Sequence, residues 1–153
     1  MSAATDTDAD LAAIRSDLSN LKGDGRRRRG GCSMKALRTL IVEDDAMIGG
    51  LLAETLEGLG HRVSAVETNV ANAVAAASRC RPDLMIVDVG LGEASGIAVV
   101  KEILRRGFVP HVFVSGDAVR SVPLSPDTVF IRKPFRVSDL DQAVQRALAT
   151  ALA

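Results

Sequence analysis

The run Leu84-Met85-Ile86-Val87-Asp88 constrains this chain more than any other stretch. Four consecutive apolar residues leading straight into a carboxylate do not alternate, so they read as a strand covered on both faces, as in a parallel sheet between two layers of helices. Asp88 then sits at the carboxyl end of a central strand, where open α/β sheets place their ligands and chemistry. A second apolar run, Leu40-Ile41-Val42, ends the same way, in Glu43-Asp44-Asp45, and a third, Val129-Phe130-Ile131, passes through Arg132 into Lys133-Pro134.

Around these runs strands and helices alternate. The predicted strands are Leu37 to Val42, Arg62 to Val66, the run ending at Asp88, Pro110 to Val114 and Thr128 to Arg132. The predicted helices are four. Ala46 to Leu59 carries Met47, Ile48, Leu51, Leu52, Leu56 and Leu59 on its apolar stripe, with Asp45 as N-cap and Gly60 as stop. Its Gly49 and Gly50 weaken it by roughly 1 kcal/mol each, a cost that close packing on the sheet would justify. Asn69 or Asn72 caps a second helix reaching Cys80, with Val70, Ala73, Val74 and Ala77 inward. A third runs from Gly96 to Arg106 and buries Ile97, Val100, Ile103 and Leu104. Ser138 caps the last, Asp139 to Leu152, in which Leu140, Val144, Ala147 and Leu148 face the sheet. Gly90 to Gly96 reads as a glycine-rich loop. Pro123 and Pro126 leave room for about one helical turn after Asp117. The alternation predicts an α/β fold, a five-stranded parallel sheet wound on both faces, with right-handed crossovers.

The 153 residues suit one such domain. Lys plus Arg and Asp plus Glu are equal at 19 each, so bulk charge points to no nucleic-acid or membrane partner. With no Trp or Tyr and four Phe, a base-stacking surface is poorly supplied. Cys32 and Cys80 have no metal-ligand spacing, and no secretory leader or apolar span long enough to cross a bilayer is visible, which together imply reduced thiols and a cytoplasmic protein. Residues 1–36 read as a flexible extension. It holds a weak amphipathic stripe (Leu11, Ile14, Leu18, Leu21) and then a Gly-rich linker with four arginines, Arg26 to Arg29. The linker could serve as an anion-binding arm or simply be solvated. Met34 sits just before the first strand and is an alternative start, with residues 37–153 as the folded domain.

Strands of a parallel sheet all end at one edge, so Glu43, Asp44, Asp88, Ser115 and Lys133 should gather there. Bare carboxylates about 4 Å apart repel by roughly 4 kcal/mol per pair at an effective dielectric of about 20. A divalent cation relieves that, and Mg²⁺ prefers carboxylate, carbonyl and water oxygens. Lys133 brings a compact ammonium suited to a phosphoryl oxygen, and Ser115 a hydroxyl. Asp88 is then the candidate nucleophile toward phosphorus. Each residue also has a plain reading: an acid after a strand is often only an N-cap, and Lys-Pro after a strand is a common loop. The conjunction of three strand ends with compatible charges is what favours a site.

On these residues the chain from 37 to 150 resembles the receiver domain of two-component response regulators, the flavodoxin-like fold of the chemotaxis response regulator. The resemblance implies that Glu43 and Asp44 are the Mg²⁺ pair, the second acid binding directly and the first through water. It implies that Asp88 is the phosphoacceptor and that the Gly90 backbone carbonyl is a further metal ligand. Ser115 matches the switch hydroxyl, Lys133 the lysine of Lys133-Pro134-Phe135, and Phe130 the aromatic that turns inward on activation. Gly90 and Asp117 lie where the family tunes water access, and so phosphate hydrolysis. The implied phosphodonor is a histidine kinase or a histidine phosphotransfer protein, the implied cofactor Mg²⁺, and no dedicated turnover of an external substrate is expected.

Some features depart from the family. Gly92 stands where proline is usual. The segment from Ser115 to Lys133 is short, so the family's fourth helix is expected to be short or absent, which leaves the usual dimer face and the oligomeric state open. The shortening, with Phe113-Val114-Ser115-Gly116, resembles a receiver subgroup found in alphaproteobacteria. No DNA-binding domain is seen after the last predicted helix, so a stand-alone receiver acting on an unknown downstream protein is expected. Rival readings are a Mg²⁺-dependent phosphohydrolase or a topoisomerase-primase-type domain, disfavoured by Gly90 where the phosphohydrolase needs a second acid; a nucleotide-binding domain, disfavoured by acids where its glycine turn belongs; and a degenerate receiver acting as a binding module, disfavoured by the intact acids and Lys133.

Overall fold

The computed structural model describes residues 36–91, 94–116 and 128–151. Residues 1–35 of the expected N-terminal extension, Gly92, Asp117 and the stretch expected to hold the shortened helix therefore lie outside the described residues. In chain order the elements are β1 (Arg38–Val42), α1 (Ala46–Gly58), β2 (Arg62–Glu67), α2 (Val70–Cys80), β3 (Leu84–Asp88), β4 (Gly90–Leu91), β5 (Ala94–Ser95), α3 (Gly96–Leu104), β6 (His111–Ser115), β7 (Val129–Arg132) and α4 (Val137–Ala151).

The main sheet has five strands in the order β2-β1-β3-β6-β7, and every neighbouring pair is parallel. All five residues of β3 are buried, as an apolar run in the middle of a two-sided sheet demands. Alternate side chains feed two cores. Ile41, Leu84, Ile86, Val112 and Val114 meet Ile48, Leu51, Leu52 and Leu56 of α1 and Leu140 and Val144 of α4. Leu40, Val42, Met85, Val87 and Phe113 meet Ala73 and Ala76 of α2 and Ile97, Val100 and Ile103 of α3. The sheet is thus doubly wound. Each fully buried Leu, Ile or Val contributes about 1.5–3 kcal/mol relative to an exposed one, and both faces of the central strands supply them. Strand order reverses between β1 and β3, and at such a switch point the carboxyl ends open into a crevice.

Local chemistry sets the helix ends. Asp45 Oδ1 accepts the N–H groups of Met47 and Ile48, capping α1. Asn69, not Asn72, caps α2 by accepting the Asn72 N–H, and Ser95 caps α3 through the Ile97 N–H. Gly60, at φ 94°, turns the chain out of α1.

Several expectations need correction. α4 starts at Val137, so Ser138 lies inside it; Arg136 is the capping position, and Asp139 reaches back to accept its N–H at 2.9 Å. Met47 is 60% exposed rather than inward, unlike its neighbour Ile48 in the same turn of α1. The glycine-rich loop holds a short antiparallel pair, Gly90 with Ser95 and Leu91 with Ala94. α3 stops at Leu104. In α2, Ala76 is fully buried, while Val70, Val74 and Ala77 only border the core.

Candidate metal and phosphoryl site

The site is assembled from three strand ends. β1 delivers Glu43, tied down by its N–H donating to the Glu67 carbonyl of β2 at 2.9 Å. β3 delivers Asp88, and the loop after β7 delivers Lys133, whose N–H donates to the Ser115 carbonyl at the end of β6 at 2.8 Å. The Lys133–Pro134 peptide bond is cis.

The Lys133 ammonium bridges the two acids, with Nζ 3.3 Å from Glu43 Oε2 and 3.2 Å from Asp88 Oδ2. The other oxygen of each carboxylate accepts a backbone amide. Asp45 N–H donates to Glu43 Oε1 at 3.2 Å, and Gly90 N–H donates to Asp88 Oδ1 at 2.9 Å. Both carboxylates are therefore fixed in rotation before any ligand arrives. Glu43 is 1% exposed and Asp88 8%, while Asp44 is exposed at the mouth. Asp45, the remaining acid, is occupied as the α1 cap, which separates it from the site acids.

The electrostatics follow from burial. Desolvation pushes the Glu43 carboxyl up to about 9; Asp88 adds to the rise and Lys133 opposes it. Burial alone would lower Lys133, but Glu43 and Asp88 outweigh it and hold its ammonium above the usual lysine range. A single ammonium among three acids leaves negative charge for a second cation. Glu43, Asp44 and Asp88 each offer an oxygen, and these atoms all lie within 4.8 Å of one another. Opposite ligands of a Mg²⁺ ion are roughly 4.2 Å apart, twice its bond length. The donor set is all oxygen and one acid is open to water, so it fits a hard divalent cation.

Helix starts converge on the same edge. α1 begins just past the acids, and α3 begins against Asp88 itself. Gly96 N–H donates to the Val89 carbonyl at 2.9 Å, and a methyl on Gly96 would lie 2.0 Å from the Asp88 carbonyl oxygen. Only glycine lets α3 come this close. Sequence reasoning placed Gly96 merely at a helix start; the signal was a glycine just after a capping serine, where it contributes nothing to the helix. Gly49 is similar, its missing Cβ lying 2.8 Å from Val66 Cγ1 and 3.7 Å from Glu43 Cβ.

Ser115 is buried at the end of β6, next to Asp88's strand. Phe130, half-buried in β7, packs on Phe113 with ring centroids 5.4 Å apart. Gly90 reaches Asp88 through its amide. Glu43, Asp44, Asp88 and Lys133 are thus gathered as the strand pattern predicts, with Ser115 at the end of the neighbouring strand, whereas the contact the structure gives Phe130 is with Phe113, two residues before Ser115. Asp117 lies outside the described residues.

Comparison with known proteins agrees with this geometry. Residues 39–145 match the family model described as the response regulator receiver domain. The phyllosphere-induced regulator PhyR of Methylorubrum extorquens is 33% identical over 117 residues, 74% of this chain and 44% of that protein. The chemotaxis protein CheY of Thermotoga maritima is 32% identical over 115 residues, 71% of this chain and 95% of that protein. A crystal structure of PhyR from Bartonella quintana, described as an anti-anti-sigma factor, superposes with a TM-score of 0.68 at 25% identity, covering 78% of this chain and 50% of that one. Apart from CheY, the chain spans about half the length of such curated relatives. No helix among the described residues is long and apolar enough to cross a membrane.

Proposed function

Because this chain belongs to the response regulator receiver domain family, we propose that it takes a phosphoryl group onto Asp88 from the phosphohistidine of a histidine kinase or phosphotransfer protein, with Mg²⁺ held by Glu43, Asp44 and Asp88. An Asp88 carboxylate oxygen attacks phosphorus, the P–N bond breaks, and the donor imidazole leaves with the electron pair. The observation that carries this reading is the Lys133 ammonium placed within 3.3 Å of both Glu43 and Asp88.

The chain's own groups supply positioning and charge. The Gly90 amide and Lys133 hold Asp88 in one orientation, which lowers the entropy lost on reaching the transition state. Lys133 exchanges its carboxylate partners for a phosphoryl oxygen, which its flexible stem permits. The starts of α1 and α3 face the incoming anion. Glu43, Asp44, Asp88 and the Gly90 carbonyl would hold Mg²⁺, which would supply positive charge against the phosphoryl oxygens. Ser115 then donates to a phosphoryl oxygen and Phe130 turns into the space it leaves, a shift between two populated states. Gly90 and Asp117 set the rate of hydrolysis. The protein turns over no other substrate, and its output is contact with a partner protein, which the likeness to PhyR supports.

Incubation with acetyl phosphate tests this on a phosphate-affinity gel. A retarded band is expected in Mg²⁺, lost with EDTA and lost in Asp88→Asn. A wild-type protein that never shifts would instead favour a binding module that works unphosphorylated.

A further inference from the structure

Rings are scarce in this chain, which has four Phe, two His and no Trp or Tyr. Three of the four Phe and one His nevertheless stand in a single file. Phe130 of β7 lies opposite Phe113 of β6 in the strand register, with ring centroids 5.4 Å apart. His111, two residues before Phe113 and so on the same face of β6, meets it edge to face at 5.4 Å. Phe108 follows, 6.2 Å from His111. Each step lies within the range of about 4.5–7 Å over which ring pairs attract. The file runs from the middle of the sheet to its amino edge and opens to water on the way: Phe113 is 2% exposed, His111 half-buried and Phe108 62% exposed.

The His111 ring is fixed in rotation, because its Nδ1–H donates to the Val109 carbonyl at 2.8 Å, an oxygen that can only accept. The same bond ties the ring to the segment that carries Phe108, so the two move together. Phe108 ends the file in the lining of a groove of about 410 Å³ between the C-terminal ends of α2 and α3. That lining also holds Arg106, which donates to Ser78 Oγ, and Arg81, which closes α2 at φ 46°. Packing explains the buried rungs of the file but not its continuation to an exposed ring.

At the other end stands Phe130, which turns inward when Ser115 moves to the phosphoryl group. Coupling between separated sites needs an element with two arrangements and a packed path leading from it. Phe130 is then the element, and Phe113, His111 and Phe108 are the path. A close-packed interior transmits displacement because its side chains have no void to move into. Phe113 is enclosed, so it follows when the ring against it turns. Strand geometry puts His111 roughly 13 Å from Ser115, four residues on, so the file spans the sheet from the site side to the amino edge.

We propose, on the basis of the phosphorylation of Asp88 described above, that this ring ladder carries the state of the Asp88 site to the opposite edge of the sheet. Phosphorylation turns Phe130, and the shift passes through Phe113 and His111 to reposition Phe108 and reshape the groove. By linkage, a contact that holds Phe108 in its shifted position favours the phosphorylated state to the same degree.

The test is ¹⁹F NMR on the full chain carrying 4-fluorophenylalanine, with one resonance for each of the four Phe, assigned by single Phe→Leu variants. Acetyl phosphate and Mg²⁺ are added, and the phosphorylated fraction of the same sample is read on a phosphate-affinity gel. The Phe130 and Phe108 resonances are expected to shift with that fraction, and neither to shift in Asp88→Asn. In His111→Ala the retarded band and the Phe130 shift are expected to persist while the Phe108 shift is lost, and His111→Phe, which restores a ring, is expected to restore it. The wild-type result decides on its own if His111→Ala does not fold. A retarded band with Phe108 unmoved would overturn the ladder and leave the phosphorylation of Asp88 intact, as would a Phe108 shift that survives in His111→Ala. The absence of any retarded band would remove the phosphorylation and the ladder with it.

Discussion

The two edges of the sheet carry opposite chemistry. At the carboxyl edge the strands end in Glu43, Asp44 and Asp88, helices begin, and Glu43 and Asp88 are buried and locked by amides and Lys133 while Asp44 opens to water. At the amino edge helices end, Arg81 and Arg106 stand at the surface, and an aromatic ring is open to water. Chain direction explains part of this. In a parallel α/β fold all helix N-termini share one edge and all C-termini the other, so anions are favoured at the first and arginines at the second. The dipole does not explain an exposed Phe108 or a left-handed Arg81, just as capping does not explain a buried Glu43. What the carboxyl edge holds beyond the dipole's demand marks where a ligand is expected, a metal and a phosphoryl group.

Substitutions sharpen the contrast. The largest effect is expected from Gly96→Ala, whose methyl meets the Asp88 backbone at 2.0 Å. Backbone cannot yield as a side chain does, so a loss of about 3 kcal/mol or more in urea denaturation is expected, with impaired phosphorylation; a fully stable variant would mean that α3 does not approach Asp88. Next comes Lys133→Met, which leaves Glu43 and Asp88 facing each other without a cation. The expected loss is about 3 kcal/mol, at the low end for a broken buried pair because the raised Glu43 readily holds a proton. At the other edge Arg106→Met should stay within about 0.5 kcal/mol of wild type, and equal losses at the two edges would erase the distinction drawn between them. The smallest effects are at adjacent glycines of α1. Gly50→Ala, with nothing within 4 Å of the added methyl, should gain about 1 kcal/mol, whereas Gly49→Ala, crowding Val66, should not.

The strands were legible because a doubly covered sheet writes itself as unbroken apolar runs, and the acids were legible because they terminate those runs. Asp45 could be set apart from Glu43 and Asp44 only as a capping residue, and its hydrogen bonds to Met47 and Ile48 bear that out. What stayed hidden depends on contacts between distant segments. The β4–β5 pair is too short to show a period. Ser138 looked like a cap because serine usually is one, but Asp139 supplies the reciprocal bond one residue earlier. Met47 follows the helical spacing yet lies beyond the sheet's cover. The close approach at Gly96 is a product of how α3 settles on the sheet, which local periodicity does not encode.

Borohydride reduction after acetyl phosphate treatment tests the central claim most directly, since it converts an acyl phosphate to the alcohol and so marks the residue that carried it. Peptide mass spectrometry is expected to find Asp88 alone reduced to homoserine, only when Mg²⁺ was present. Reduction at Asp44 or elsewhere, or an Asp88 left intact in a protein that has gained phosphate, would contradict the account.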